Sequence, residues 1–204
     1  PKRDWSSDVC SSDLDRRNFF IAHQVTQNLL QYDNVFFLTP LCGNSRYIYC
    51  DALPFEDQKK ESNIPIYAIQ GNITSQRRNY KLLELLLNNN FDKNFKIKMI
   101  GRGKKLFEGF EDKIEWKLNL NFEDYHRQFL DVYCILPLVS KKSHPQYYKR
   151  KLTSSINYAK GYGLKCLLDK ELQEIYNLDN SYTYNDEKNF ITQFKNTLDI
   201  FYDN

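Results

Sequence analysis

Between Ile64 and Tyr202 the apolar positions fall into two alternating patterns. Short, mainly apolar runs, IPIYAIQ (64–70), FKIKMI (95–100), DVYCILPLV (131–139) and LKCLLD (164–169), read as strands buried on both sides. Between them lie stretches of helical period. SQRRNYKLLELLLNN (75–89) sets Tyr80, Leu82, Leu83, Leu86 and Leu87 on one stripe. FEDYHRQFL (122–130), LTSSINYAKGY (152–162), KELQEIYN (170–177) and DEKNFITQFKNTLDIFY (186–202) read as further helices, the first of them N-capped by Asn121. DKIEWKLNL (112–120) adds one more extended piece. Strand and helix in strict alternation predict an α/β domain with a parallel sheet covered by helices on both faces.

Upstream the pattern changes. DRRNFFIAHQVTQNLL (15–30) predicts a helix, while NVFFLTP (34–40) and RYIYCDALPF (46–55) predict strands that end near Pro40 and Pro54. EDQKKESN (56–63) has no apolar residue and reads as a linker, so residues 15–62 are expected to be the remnant of a preceding α/β domain with its linker, and 63–204 the main domain. The first 14 residues fit neither. They lack the apolar centre of a signal peptide, and DWSSDVCSSDL resembles one reading frame of a common sequencing-library adapter, with Arg3 suiting the codon that must precede it. On that resemblance residues 1–14 are an artefact and disordered, and the chain is the C-terminal part of a longer, metagenomic product.

The 204 residues are 41% hydrophobic, which suits a globular chain and excludes a disordered one. Setting aside Lys2, Arg3, Asp4, Asp8 and Asp13 removes two positive and three negative charges and moves the net charge from +3 to +4. A mildly basic chain accommodates a phosphate-bearing ligand without requiring nucleic acid. Of five cysteines, Cys10 lies in the leader, and Cys42, Cys50, Cys134 and Cys166 are scattered without metal-ligand spacing. Cys134 and Cys166 fall in apolar runs and read as reduced core residues, which points to a reducing compartment. No apolar run reaches the ~18 residues of a membrane span.

In an open parallel sheet, ligands bind beyond the carboxyl ends of the strands, so candidate chemistry is sought there. After the strand at 64–70 comes GNITSQRRN: Gly71 permits a tight exit, Thr74 or Ser75 can cap the next helix, and Arg77 and Arg78 fall in its first turn. Cations are disfavoured at a helix start by roughly 0.3–1 kcal/mol each, a cost an anion would remove. Two solvated arginines on a surface helix are the bland alternative. After 95–100 comes GRGKK, where Leu106 stands in the place of a third fingerprint glycine; Gly101 is either a plain turn or a point where a nucleoside approaches the backbone. After 131–139 comes SKKSHPQYYKRKLTSS, with Lys141, Lys142, Lys149, Arg150 and Lys151 ahead of a helix start bearing Thr153, Ser154 and Ser155. A solvated loop explains it alone; with Arg77 and Arg78 at the same sheet edge, a diphosphate site is the better reading. His23, His126 and His144 form no catalytic set with a serine, cysteine or carboxylate, and there is no metal-ligand cluster and no DxD that would hold a cation between phosphates.

The order of four blocks, IPIYAIQGNITSQRRNYKLLELL, FKIKMIGRG, YHRQFLDVYCILPLV and KLTSSINYAKGYGLKCLLD, resembles the C-terminal, nucleotide-sugar-binding half of GT-B-fold glycosyltransferases over roughly residues 34–204. The third block ends near Pro137, and the fourth has a small-residue helix closed by Gly161 or Gly163. The resemblance implies a Rossmann-like sheet and transfer of a sugar from a nucleotide diphosphate to an acceptor, glycan, lipid or protein. It implies no cofactor and no metal, no nucleic-acid partner, and a cytoplasmic protein, free or peripheral to a membrane. It implies that Gly71 sits under the donor phosphates with Asn72 beside it. Arg77 or Arg78 would be the phosphate-contacting base and Gly101 would lie near the nucleoside. Lys151, Thr153 and Ser154 would hold the diphosphate and ribose or sugar, and 186–202 would be the helix that crosses back to the first domain. The pair of glutamates seven residues apart that many retaining members carry has no counterpart near Gln146 or Asn157, so neither the ribose contact nor the stereochemistry transfers. The acceptor domain is nearly absent, and this chain is expected to bind nucleotide without turnover. The rivals are a non-catalytic nucleotide-binding α/β module and a nucleic-acid-binding domain using residues 140–151.

Overall fold

The structure is a computed structural model, and it describes residues 19–43, 46–48, 52 and 59–203. The leader, Cys50 and most of the predicted strand at 46–55 lie outside the described residues. The chain divides into two units, Pro1–Cys50 with Lys149–Leu152, and Asp51–Tyr148 with Thr153–Asn204.

In the first unit, β1 (Phe20–Ala22) pairs in parallel with β2 (Val35–Phe37), and α1 (Gln27–Leu30) connects them. The sequence predicted a helix through 15–30; the described part begins instead as a strand. FFIA is an unbroken apolar run, which serves strand and helix equally until a pairing partner decides, and here Asn34 to Phe37 supplies one. Val35 and Phe37 are fully buried against Phe20, Ala22, Val25 and Leu29. The Arg46 guanidinium donates to the carbonyls of Leu30 and Tyr32 at 2.9 Å each, satisfying the end of α1. Lys149–Leu152 adds to this unit through an antiparallel bridge between Gln24 and Lys151 and a 2.7 Å bond from Val25 N–H to the Arg150 carbonyl.

The second unit is an α/β domain with a six-stranded, all-parallel sheet flanked by helices. Its strands are β3 (Ile66–Ile73), β4 (Lys96–Gly103), β5 (Ile114–Leu118), β6 (Cys134–Ile135), β7 (Lys165–Asp169) and β8 (Ser181–Tyr184), in the spatial order β5-β4-β3-β6-β7-β8. Counted from β3 that is the order 3-2-1-4-5-6 of a Rossmann-like sheet, whose order reverses between β3 and β6. Residues alternate across it. Tyr67, Ile69, Ile97, Met99, Leu136 and Leu167 enter one core with the leucine stripe of α2 (Tyr80–Leu87) and with Phe190, Phe194 and Leu198 of α7 (Glu187–Asp203). The opposite pleats meet α3 (Phe122–Arg127) and α5 (Ser154–Gly161): Gln70 bonds Ser154, and Lys98 is paired with Asp131 at 2.6 Å. Between these helices Phe129 stacks on Tyr158 at 4.8 Å.

Four expectations change. The helix predicted from residue 75 starts at Tyr80, so neither Thr74 nor Ser75 caps it and Arg77 and Arg78 precede it. The backbone of 74–79 is drawn elsewhere: Arg77 N–H turns back to Thr74, and Asn79 N–H donates to the Leu138 carbonyl at 2.6 Å. The strand predicted over 131–139 shortens to Cys134–Ile135, because Pro137 has no N–H for a ladder and Leu138 takes a left-handed φ of 47°. A short helix α4 (Gln146–Lys149) interrupts the basic loop, and β8 follows α6 (Lys170–Tyr176) where no strand was expected.

Candidate functional site at the sheet switch point

The site is built where β3 and β6 part. Tyr133 N–H donates to the carbonyl of Ile66 and Leu136 N–H to that of Ala68, both at 2.8 Å. The next carbonyl in that row on β3 belongs to Gln70, and β6 has ended. Arg78 takes the vacated place: one guanidinium nitrogen donates to the Gln70 carbonyl and the other to the Arg77 carbonyl at 2.7 Å. The Tyr147 hydroxyl also lies within hydrogen-bonding reach.

Arg78 is 6% exposed, and no carboxylate among the described residues pairs with it. Burial therefore pulls its pKa down, the nearby Tyr147 and Tyr80 hydroxyls oppose the shift, and Arg77 adds to it. A buried cation held by neutral acceptors alone is electrostatically incomplete. Its Nε has no hydrogen-bond partner. Among the described residues the only other buried side-chain polar atoms in that condition are the Tyr80 and Ser155 hydroxyls. Arg78 and Tyr80 flank the start of α2, and Ser155 lies in the first turn of α5.

Gln70, 1% exposed, links the two sides. Its amide nitrogen donates to the Ser154 hydroxyl at 3.0 Å, and the Tyr125 hydroxyl approaches its amide oxygen at 3.5 Å. Ser154 opens α5, whose first N–H groups have no intrahelical acceptor; Thr153 before it is buried and its hydroxyl makes no cap bond. Gly71 (φ 119°) and Gly101 face one another across β3 and β4. A Cβ at Gly71 would lie 2.8 Å from the Arg78 guanidinium, and one at Gly101 only 1.7 Å from the Gly71 carbonyl oxygen. Both positions must lack a side chain for the strands to close and for the guanidinium to lie on the turn.

Of the residues singled out from sequence, the structure thus gathers Gly71, Arg78, Gly101 and Ser154, with Thr153 next in chain. Asn72 and Arg77 are exposed at the same edge. Lys151 belongs to the first unit. Gln70, Tyr125 and Tyr147 were not singled out. Gln70 did leave a trace, as the polar residue that ends an apolar run. In the basic loop, Lys141 is engaged by Glu171 at 2.7 Å, while Tyr147 and Tyr148 are buried and anchor the segment.

A cavity of about 280 Å³ opens at the opposite, amino-terminal edge of the sheet, among Phe91, Lys93, Phe95, Lys96 and Lys113. Two of its lysines are engaged: Lys93 pairs with Asp199 at 3.0 Å, and Lys113 donates to the Leu87 carbonyl at 3.3 Å, at the end of α2. Among the described residues no group of His, Cys, Asp or Glu is placed to hold a metal ion, and no helix is long and apolar enough to cross a membrane. Cys134 and Cys166 are buried free thiols whose pKa values burial pushes up.

His144, beside Arg78, and His126, bonded through Nδ1 to the Tyr162 hydroxyl at 2.7 Å, are both buried, and burial lowers both pKa values. Both are held neutral. The unfolded chain, titrating near 6.5, takes up protons first, so their contribution to stability is complete above that pH and is lost as pH falls through the lower, folded values. The melting temperature is expected to fall over the window that opens as pH drops below about 6.5, and His126→Gln, neutral throughout, to flatten part of the slope. A flat wild-type profile across that window would contradict this.

No protein-family model matches the chain, and no curated protein sequence matches it either.

Proposed function

We propose that the second unit binds a nucleoside diphosphate sugar in the crevice between the carboxyl ends of β3 and β6, as the donor-binding half of a glycosyltransferase of the GT-B type. The observation that carries this reading is the buried Arg78, without a carboxylate partner and with its Nε unsatisfied, at the point where the strand order reverses. Open α/β sheets bind ligands at that point, and a diphosphate supplies the missing charge and acceptors.

The chemistry asked of these groups is electrostatic. As the bond from the sugar to the diphosphate breaks, negative charge grows on the leaving oxygen. A guanidinium already desolvated and fixed, with the amide hydrogens at the start of α5, stabilises that charge without reorganising. The Ser154 hydroxyl, which accepts from Gln70, would donate to the same group.

Calorimetry of the wild-type chain against UDP, GDP, ADP and dTDP, their sugar-bearing forms and the free nucleosides tests the reading. Saturable binding of one diphosphate is expected, tighter with the sugar attached and absent for the nucleoside, with Ser154→Ala weakening it several-fold. Binding of a diphosphate with no preference for its sugar-bearing form would mark a nucleotide module without transfer chemistry. No binding of any diphosphate would remove the proposal.

A further inference from the structure

Arg78 is one cation, and a diphosphate has two charged centres. On the neighbouring strand, Arg102 lies between Gly101 and Gly103 at the carboxyl end of β4, exposed, and its guanidinium has no hydrogen-bond or ion-pair partner among the described residues. Its backbone is clamped. A Cβ at Gly103 (φ 140°) would lie 2.5 Å from the Ile73 carbonyl oxygen, and at Gly101 the clash is with the Gly71 carbonyl. Asn119, in the left-handed region at φ 56°, bonds Gly103 reciprocally: its amide accepts from Gly103 N–H at 3.1 Å and donates to the Gly103 carbonyl at 2.9 Å. Asn119 N–H donates to the Gly101 carbonyl at 2.7 Å. The segment either side of Arg102 is thus fixed on both flanks.

The register sets where this pedestal stands. Arg102 is the partner of Asn72, one residue beyond Gly71, on whose turn the Arg78 guanidinium lies. One strand spacing, about 4.8 Å, separates the two backbones. By the alternation of β4, Arg102 shares the pleat of Lys98 and the face of Gln70 and Asn72, whereas Arg78 lies over Gly71 from the other pleat. The two guanidiniums belong to opposite sides of one strand edge.

We propose that Arg102 is a second cation of the same site, contacting the terminal phosphate of the diphosphate whose other phosphate Arg78 holds. This rests on the reading of the crevice as a diphosphate site. Free arginine at a rigid strand end suits bidentate recognition of a phosphate, because the fork is positioned before the ligand arrives.

The test is calorimetry on the intact chain with Arg102→Ala and Arg102→Lys, using the diphosphate that wild type binds and the matching monophosphate. Lys104→Ala, on the same loop, controls for the general field. Arg102→Ala is expected to weaken the diphosphate at least ~10-fold and the monophosphate less than ~3-fold, with an unchanged melting temperature and partial recovery in Arg102→Lys. Equal losses for the two nucleotides, an equal loss in Lys104→Ala, or no loss at all would each overturn the assignment of Arg102 and leave the crevice reading standing. Failure of wild type to bind any diphosphate would remove both.

Discussion

Arg78→Met is expected to abolish most diphosphate binding while leaving the fold as stable as before, or more so. Methionine fills the same space with no charge to desolvate. The substitution gives up two charge-assisted bonds, to the Gln70 and Arg77 carbonyls, and leaves the first of these acceptors without its donor, at about 1.5–3 kcal/mol each. Against that it removes a buried cation whose solvation cost is several kcal/mol and which no carboxylate offsets. The melting temperature should stay within about 3 °C of wild type or rise. Affinity for the diphosphate should fall ~100-fold or more, because truncating one side of a desolvated charge contact costs on the order of 2–5 kcal/mol. The combination separates a ligand-binding arginine from a structural one. A variant that melts far below wild type would show that Arg78 is a strut for the 74–79 turn. A stable variant with undiminished binding would show that the ligand sits elsewhere.

The same residue shows what the sequence could and could not convey. The spacing of Leu82, Leu83, Leu86 and Leu87 identified the buried face of α2, since that face depends only on helical period and apolarity. The apolar runs likewise marked β3, β4 and β7. Arg77 and Arg78, however, look equivalent in sequence, and the structure makes one exposed and the other buried. What separates them is non-local: the unpaired Gln70 carbonyl at the switch point, and the bond from Asn79 to Leu138 that delays the helix. Strand β8 left no trace, because SYTY at a sheet edge has no apolar run and owes its form to pairing with β7. Lys151 stands two residues before Thr153 in sequence, and local spacing carries no sign that a unit boundary passes between them.

Gly101→Ala is expected to be strongly destabilising. The added Cβ would fall 1.7 Å from the Gly71 carbonyl oxygen, well inside contact distance, and the obstacle is backbone that no rotamer change can move. β3 and β4 share eight paired positions, from Ile66 with Lys96 to Ile73 with Gly103, and both glycine-bearing ends would have to separate. Overpacking of this kind costs about 3 kcal/mol, which for a domain of this size lowers the melting temperature by roughly 6–12 °C. Gly109→Ala provides the control. Nothing lies within 4 Å of its Cβ position, so only its positive φ of 91° is penalised, at about 1–2 kcal/mol. Should the two variants melt together, the close approach at Gly101 is not a constraint on the folded sheet. Because Gly71 also underlies Arg78, the separation would reach the crevice. Gly101→Ala should therefore weaken diphosphate binding at temperatures where it is still folded, and Gly109→Ala should not.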